Sequence, residues 1–521
     1  DRQDEQDKEL AFPSCLSCPS LFELFFMLCG QGQALPLQLF AKQMSEELTK
    51  QTAVNLLELV RARSVSPVEI IEAHLESIAR LNPQLNAIAT LAPDAMERAR
   101  EAESAIMRGE IFGPLHGLPF TVKDTIETKG LRTTSGSVFR ADHIPQQDAT
   151  AVARMKAAGA ILIGKTNVSE MAMDYESVNP VFGRTNNPHD LSRTAGGSSG
   201  GEAAAISSCL SPAGLGSDLA GSIRLPAHFC GICGLKPTVG RVAGDGQFPP
   251  GIGPYSLGAA IGPMARRVED LALLLKVLDG TNASTSAADS AQDVEKVDLR
   301  NVRVAFYTDD GVTPVSDETR DAVEAAALAL ERAGLEVFEC RPPAVEHGPS
   351  LWLKIFSQAS VVQLREVYEG QEEKAGDFIQ WRLANAKQSE PPPLDEYIKA
   401  WMERDRLRAS LVEWMLKTPL ILAPAGATAA FKHETRKVSV GGQDVGTFRA
   451  FGYLHTFNVF DLPSVCVPVA RSREGLPIGV QVVARPFHEE AALAAALRLE
   501  RALGGWQLPP LALSNDTENP L

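Results

Sequence analysis

The chain has 521 residues, of which 44% are hydrophobic and 22% are charged, a composition typical of a globular protein with a buried core. Its 65 acidic and 50 basic side chains give a formal net charge of -15. Because a phosphate backbone or an anionic bilayer repels such a protein, this charge excludes nucleic acid from the expected partners.

Neither a membrane span nor a disulfide framework is predicted. The longest apolar stretch, Leu21–Cys29, has about nine residues and includes Glu23, whereas a spanning helix needs about 20. The eight cysteines have no regular spacing, which is atypical of a disulfide-rich secreted protein. Since no clear signal peptide precedes the first helix, we expect a cytoplasmic location.

Residues 1–43 differ in pattern from the rest of the chain. They begin with charged residues, cluster Cys15, Cys18 and Cys29, and show no periodicity that continues into the next helix. We interpret this segment as an N-terminal extension, poorly ordered or non-native, with Met44 as a candidate start. A segment that docks to a membrane or a partner is the alternative.

After this extension the pattern becomes helical. Residues 48–63 form one amphipathic run. Ser66 then precedes Pro67 and lies three residues before Glu69, the pattern of a capping box with proline at the first helical position. This pattern predicts a helix that begins after Ser66 and continues to about residue 81.

Strands and helices alternate further along the chain. The predicted elements are a helix over 95–107, a strand over 118–122, a helix over 149–158, a strand over 160–164, a strand over 302–307, a helix over 316–334 and a strand over 335–339. Alternation of this kind predicts an α/β fold with a large central sheet flanked by helices.

Between residues 344 and 417 the strand pattern disappears. The stretch is helical and charged, and it contains a run of three prolines. Strands return over 419–423, 464–469 and 479–484, so we interpret 344–417 as a helical insertion within one domain. That domain extends over residues 44–505 and is followed by a C-terminal tail, 506–521.

Two parts of the sequence carry residue types suited to acyl transfer. A predicted buried strand ends at Lys123, a position from which a side chain can reach a site at the sheet edge. Residues 195–202 and 216–226 are rich in glycine and serine. Glycines let a substrate approach backbone N–H groups closely, and small residues ahead of Ser222 can aim several amides at one point, as an oxyanion hole requires.

The same residues permit other interpretations. Residues 196–200 satisfy G-x-S-x-G, the nucleophile elbow of α/β-hydrolase esterases, which would make Ser198 the nucleophile and require a histidine such as His433, His455 or His488. A phosphate-binding loop would require a Gly-Lys-Ser or Gly-Lys-Thr ending, which is missing.

Cys230 and Cys233 form a C-x-x-C motif, which is half of a zinc or redox site. Cys15 and Cys18 form the one other pair in the sequence, and they lie in the N-terminal extension. We therefore expect core thiols at 230 and 233, and neither a metal nor a cofactor.

With these motifs in this order, the sequence resembles the amidase signature family. The resemblance covers roughly residues 48–503, with the insertion least well matched. The matching stretches are 117–124, 164–167, 195–202, 216–226, 229–237 and 475–481. It implies the fold of that family, a large mixed central β-sheet with helices on both faces.

The resemblance also implies a catalytic triad. Ser222 would be the acylated nucleophile, Lys123 the base, and Ser198 the bridge between them, following a cis peptide bond after Gly197. A lysine accepts a proton only when it is neutral. We therefore expect burial to lower the pKa of Lys123 to roughly 7 to 8.

Neighbouring residues receive supporting roles from the same resemblance. Ser199 would form a hydrogen bond near the lysine, and Asp218 and Arg224 would be structural. Ala220 replaces a glycine that many family members have, and its methyl group narrows the site. The oxyanion hole would consist of the backbone N–H groups of Leu219, Ala220, Gly221 and Ser222.

The expected function is a serine amidohydrolase that cleaves the C–N bond of a small amide or carbamate through an acyl-enzyme. A glutamine-hydrolysing component of an amidotransferase is the alternative, although residues 248–262 differ from that protein. We predict that Met173 and Tyr175 bind substrate, together with insertion residues near Trp352 and Trp381. A homodimer is the assembly we consider.

Overall fold

The computed structural model describes residues 37–279, 293–388 and 392–514. Seventeen α-helices lie in these ranges. They are α1 Leu37–Lys50, α2 Ala53–Arg61, α3 Pro67–Leu85, α4 Ala95–Met107, α5 Thr150–Ala157, α6 Gly200–Ser207, α7 Arg224–Cys230, α8 Val268–Asp279, α9 Asp317–Arg332, α10 Gly348–Trp352, α11 Gln358–Tyr368, α12 Asp377–Gln388, α13 Leu394–Trp414, α14 Thr447–Ala450, α15 Tyr453–Val459, α16 Glu489–Leu503 and α17 Pro510–Ser514.

The same ranges contain seventeen strands. They are β1 Ile88–Leu91, β2 Pro119–Lys123, β3 Ile161–Thr166, β4 Val178–Asn179, β5 Gly183–Arg184, β6 Asn186–Asn187, β7 Asp190–Thr194, β8 Ala213–Asp218, β9 Cys233–Lys236, β10 Ala260–Ala265, β11 Arg303–Phe306, β12 Glu336–Glu339, β13 Leu420–Pro424, β14 Lys437–Val440, β15 Gln443–Gly446, β16 Ser464–Arg471 and β17 Pro477–Ala484.

Eleven of the strands form one mixed sheet, in the order β1-β3-β2-β8-β10-β9-β16-β17-β13-β11-β12. Strands β3, β2 and β8 are mutually parallel neighbours, as are β13, β11 and β12, whereas the strands between these groups pair antiparallel. The predicted large mixed sheet is confirmed.

Helices cover the sheet on both faces. Successive side chains of a strand point to opposite faces, yet every residue of β17 is buried, so both of its faces are packed against other elements. Helices α7 and α16 both contact β16 and β17. No helix in the described ranges combines the length and the apolar character that crossing a bilayer requires.

The N-terminal helices differ from the single run predicted over 48–63. Helix α1 ends at Lys50, and α2 begins at Ala53 because the Thr52 side chain accepts a hydrogen bond from the Asn55 N–H and caps a new helix. The capping box at Ser66 is confirmed. The predicted boundary between residues 43 and 44 lies within α1, and the three N-terminal cysteines lie outside the described residues.

The segment that the sequence predicts to be a helical insertion lies between β12 and β13. Its described residues form helices α10 to α13 and no strand, and a π-helical turn, Leu353–Ser357, joins α10 to α11. Insertion residues such as Leu364 and Ile379 share a small hydrophobic cluster with Met171, separate from the main core. The insertion therefore packs against the segment around residue 171.

The register of two parallel strands places the site. Strand β2 pairs with β8, with Val122 beside Leu215, so both strands end at the same edge of the sheet. Lys123, the last residue of β2, is thereby brought next to the end of β8, where Ser217 and Asp218 lie.

Candidate active site

Lys123 lies at the buried end of β2 and is surrounded by hydroxyl groups. Its Nζ atom lies 2.6 Å from the Oγ atom of Ser198 and 3.0 Å from the Oγ atom of Ser217. The Ser217 carbonyl oxygen is 3.3 Å from the same nitrogen. The sequence motifs did not identify Ser217 as a partner, although it directly precedes Asp218.

Burial sets the protonation of Lys123. The side chain is fully buried, and loss of hydration lowers its pKa to about 7, against the opposing influence of Asp218 and Glu202. This value agrees with the expected range. A substantial fraction of the amine is neutral near pH 7 and able to accept a proton.

Ser198 is held in a tightly packed turn that leads into α6. The peptide bond between Gly197 and Ser198 is cis. The Ser177 hydroxyl lies 2.9 Å from the Gly196 carbonyl oxygen, and it accepts a hydrogen bond of 2.8 Å from the Gly200 N–H. A Cβ atom at Gly197 would collide with the neighbouring backbone, so this turn requires glycine there.

Asp218 organises the loop that leads from β8 to Ser222. One of its carboxylate oxygens accepts the Gly221 N–H at 2.9 Å, and the other accepts the Ile223 N–H at 3.1 Å. Arg224 donates to both oxygens at 3.0 Å, and both side chains are fully buried. Burial alone would raise the pKa of Asp218, but the Arg224 charge and these hydrogen bonds hold that pKa well below its usual range.

The loop presents unpaired amides next to the nucleophile candidate. Among the described residues, the N–H groups of Leu219, Ala220 and Ser222 have no hydrogen-bond partner, whereas Gly221 donates to Asp218. Gly221 has a φ of 92°, and a Cβ atom there would collide with the Leu454 side chain. Three of the four predicted oxyanion donors are thus free.

Ser222 lines a cleft and is 6% exposed. Its carbonyl oxygen accepts the Ser199 N–H at 3.2 Å, which ties the two serine segments together. The Ser199 hydroxyl lies 3.4 Å from the carbonyl oxygen of Ser217, a residue that also contacts Lys123. Ser198, Ser217 and Ser222 all line the same cleft.

The cleft encloses about 520 Å³, including the part open to solvent. Its walls are mainly apolar, and Asp218, already paired with Arg224, is the one charged residue among its described lining residues. Met173, which the sequence predicts to bind substrate, is on the wall. The apolar wall also includes three residues that the sequence motifs did not identify, Met171, Phe248 and Tyr255.

Three predicted wall residues lie elsewhere. Tyr175 is buried behind the loop, where its hydroxyl donates to the Ala220 carbonyl oxygen at 2.7 Å. The indole N–H of Trp352 donates to the Leu219 carbonyl oxygen at 2.8 Å. Trp381 is 59% exposed on the insertion surface. For Tyr175 and Trp352, the sequence indicated contact with the site but not which side of the loop each side chain occupies.

The esterase alternative finds no matching geometry. Among the described residues, no histidine forms a hydrogen bond with the Ser198 hydroxyl, which instead bonds to Lys123. His455 contacts the Tyr175 hydroxyl, and the His433 ring contacts the Leu191 carbonyl oxygen. A serine elbow of the α/β-hydrolase type needs a histidine in that position.

Cys230 and Cys233 are free, buried thiols. Burial raises the pKa of each thiol well above its usual value, so neither is a ready thiolate. Within residues 37–279, 293–388 and 392–514, no group of three or more His, Cys, Asp or Glu side chains is arranged to hold a metal ion.

Comparison with known proteins defines the class. The family model named Amidase matches residues 69–493, so the chain belongs to the amidase signature family and is an amide-hydrolysing enzyme. Human fatty-acid amide hydrolase 2 is 32% identical over 503 residues, which cover 90% of this chain and 92% of that protein.

Two further relatives show the breadth of the family. A glutamyl-tRNA(Gln) amidotransferase component from Clostridium acetobutylicum is 31% identical, with 87% of this chain and 99% of that protein covered. The crystal structure of a bacterial aryl acylamidase of the amidase signature family matches with a TM-score of 0.77 and 25% identity, covering 90% of this chain and 99% of that one.

Proposed function

We propose that the chain is a stand-alone hydrolase of small, uncharged amides with an apolar acyl group, acting through an acyl-Ser222 intermediate. The observation that carries this proposal is a buried lysine with a lowered pKa, bonded to Ser198 in the cleft that also contains Ser222. Such an arrangement provides a base and a nucleophile without a histidine.

In the proposed first step, Ser198 passes its proton to neutral Lys123 and takes the proton of Ser222. The Ser222 oxygen attacks the amide carbonyl carbon, and the resulting oxyanion accepts hydrogen bonds from free amides such as that of Ala220. As the intermediate collapses, the proton returns through Ser198 to the amine nitrogen, the C–N bond breaks and the amine leaves.

The second step repeats this relay with water as the nucleophile. Water gives a proton through Ser198 to Lys123 and attacks the acyl carbon. The tetrahedral intermediate collapses with cleavage of the ester bond, Ser222 recovers its proton, and the acid product leaves. Atoms balance as amide plus water giving acid plus amine.

The apolar wall supports the substrate class. Met171, Met173, Phe248 and Tyr255 offer a surface for alkyl or aromatic groups. A charged acyl group would lose its hydration there without gaining a partner, because Asp218 is already neutralised by Arg224. The names of two relatives, a fatty-acid amide hydrolase and an aryl acylamidase, agree with such acyl groups.

Glutamine hydrolysis is the second candidate, since the amidotransferase component is nearly as similar as the amide hydrolase. Free glutamine carries both an ammonium and a carboxylate group beside its side chain. Neither charge finds a free counter-charge among the described residues of the cleft. The geometry therefore favours the stand-alone amidase.

A substrate panel tests the proposal. We expect the purified chain to hydrolyse 4-nitroacetanilide and decanamide without any partner, and to leave L-glutamine intact. Mass spectrometry after treatment with a fluorophosphonate should place the adduct on Ser222. Glutamine turnover that exceeds decanamide turnover, or an adduct on Ser198, would contradict it.

A further inference from the structure

Two side chains from distant parts of the chain hold the carbonyl groups of the proposed oxyanion loop. The Trp352 indole donates to the Leu219 carbonyl oxygen at 2.8 Å, and the Tyr175 hydroxyl donates to the Ala220 carbonyl oxygen at 2.7 Å. Trp352 ends α10 of the insertion, whereas Tyr175 precedes β4. Both side chains are almost fully buried.

These hydrogen bonds orient the amides because a peptide group is planar. In a trans peptide, the Leu219 carbonyl and the Ala220 N–H point in opposite directions within one plane. Trp352 therefore fixes the direction of the free Ala220 N–H. The next peptide is held at both ends, by Tyr175 at the Ala220 carbonyl and by Asp218 at the Gly221 N–H.

Counting the available protons identifies a second hydrogen-bond partner of Tyr175. Its oxygen lies 2.7 Å from the Ala220 carbonyl oxygen and 2.6 Å from the Nε2 atom of His455. A carbonyl only accepts and the phenol has one proton, so Tyr175 donates to Ala220 and His455 donates to Tyr175. His455 is thus protonated on Nε2.

The rest of the histidine agrees with this tautomer. Its Nδ1 atom is buried and has no hydrogen-bond partner among the described residues, so no carboxylate faces it to hold a second proton. Burial, together with the nearby Arg224 charge, lowers the pKa of His455 to about 3, against the opposing influence of Asp218. The ring stays neutral, and it donates from Nε2 across the working pH range.

Aromatic packing holds the three side chains together. The rings of Trp352 and His455 stack with centroids 4.6 Å apart and an angle of 19°. Phe448 lies 5.1 Å from the Tyr175 ring and 4.6 Å from the His455 ring. Such packing limits the movement of the two donors, so the carbonyls they hold are limited as well.

We propose that Trp352 and Tyr175 are positioning residues that fix the amides of the oxyanion loop, and that His455 orients Tyr175. This inference rests on the proposed function, because it assumes an oxyanion at this loop. It assigns the insertion a part in catalysis through one hydrogen bond.

Variants that remove only the hydrogen-bond donor test the proposed positioning role. Trp352→Phe and Tyr175→Phe keep an aromatic ring and lose the N–H or O–H. Because the amides remain but are less fixed, we expect kcat for 4-nitrophenyl acetate to fall about tenfold in each variant, less than the 10²- to 10³-fold typical of a lost oxyanion donor. KM should stay within about twofold of wild type.

A second readout reports the oxyanion geometry. Phenylboronic acid forms a tetrahedral anionic adduct with an active-site serine, so its inhibition constant should rise by the same factor as kcat falls. Tyr453→Phe and Trp506→Phe are matched controls. Each also removes a donor to a backbone carbonyl, that of Thr313 or Ser207, away from the loop. Both controls should keep wild-type kcat and inhibition.

The outcomes separate the two levels of the proposal. If wild-type protein is not labelled on Ser222 by a fluorophosphonate, the proposed function fails. If labelling succeeds but Trp352→Phe and Tyr175→Phe keep wild-type kcat and boronate affinity, the positioning role alone is overturned. It is also overturned if the controls lose as much kcat as the two variants.

Discussion

The edge of the sheet that carries Lys123 and the helical insertion are built in different ways. Every residue of β2 and β8 is buried, so the strands that position Lys123 and Ser217 are packed on all sides. In α12 only Ile379 and Leu383 are buried. This difference indicates that the sheet edge holds Lys123 and Ser217 rigidly, while α12 of the insertion has more freedom to vary.

Hydrogen bonds nevertheless join the insertion to the region of the site. Trp352 reaches the carbonyl of Leu219 in the oxyanion loop. Tyr368 of α11 donates to the Glu170 carboxylate at 2.7 Å, and the Gly376 N–H donates to the same group at 2.8 Å. The insertion thus contacts the loop that leads to Ser222 and the segment next to the wall residue Met171.

The largest effect is expected at the sheet edge, from Ser222→Ala. We expect turnover to fall by about 10⁴- to 10⁶-fold, because the acyl-enzyme step has no substitute nucleophile. The measurement is kcat on the best substrate of the panel. Ser207→Ala removes another buried serine hydroxyl, bonded to the Cys230 carbonyl, and should stay active. Retained activity in Ser222→Ala would contradict the proposed nucleophile.

Lys123 gives the next largest effect and a pH signature. Below its pKa of about 7 the amine is protonated and cannot accept the relayed proton, so kcat/KM should fall about tenfold per pH unit as the pH drops. Lys123→Met and Lys123→Arg should lose about 10²- to 10⁴-fold, since neither side chain is a base at neutral pH.

The measurement is kcat/KM from about pH 5 to pH 10, beside circular dichroism spectra of the two variants. A wild-type profile that stays flat down to pH 5, or an active Lys123→Arg, would show that another group is the base. Any activity that remains in Lys123→Met should no longer fall as the pH drops through 7.

Asp218→Asn extends the comparison of the two regions to the stability of the protein. It keeps the shape of the side chain but leaves Arg224 buried without a counter-charge, so we expect a loss of about 3–5 kcal/mol in the free energy of unfolding. Urea unfolding measures it. Asp94→Asn breaks an exposed pair with Arg98 and should cost less than about 1 kcal/mol. If Asp218→Asn and Asp94→Asn lost the same free energy of unfolding, the buried Asp218–Arg224 pair would contribute no more to stability than an exposed pair.

The smallest effect is expected where the insertion meets the cleft wall. Tyr368→Phe removes a donor to buried Glu170, next to the wall residues Met171 and Met173. We expect KM to rise about fivefold, equivalent to about 1 kcal/mol, with kcat unchanged. Tyr397→Phe, on α13 and without these hydrogen bonds, is the control. An unchanged KM in Tyr368→Phe would show that this contact of the insertion does not influence substrate binding.

Prediction of the fold from sequence succeeded where patterns were local. The strands at 118–122, 160–164 and 479–484 are apolar runs with clear ends, and they match β2, β3 and β17. Strand β8 was missed because its sequence, Ala213–Asp218, is rich in glycine, which weakens the usual strand pattern. It forms because β2 and β10 pair with it on both sides.

The residues proposed to react could be identified from sequence motifs, whereas the positions of the residues proposed to support them could not. Lys123, Ser198 and Ser222 could be named from sequence because each lies in a short motif that resembles one of the amidase signature family, and the residues of such a motif are neighbours along the chain. Tyr175 and Trp352 could be named but not placed. They lie 177 positions apart in the numbering, and only the folded chain brings both behind one loop.

By itself, the sequence determined the class of fold and, through motifs that resemble those of the amidase signature family, the reaction class and the residues proposed to react. Local backbone requirements such as the glycine turn at 197 and the capping box at 66 likewise depend on adjacent residues. The tertiary structure alone decided the lowered pKa of Lys123, the engagement of the Gly221 amide by Asp218 and the apolar wall of the cleft. The physical reason is that hydration, hydrogen-bond pairing and packing depend on neighbours that are distant in sequence.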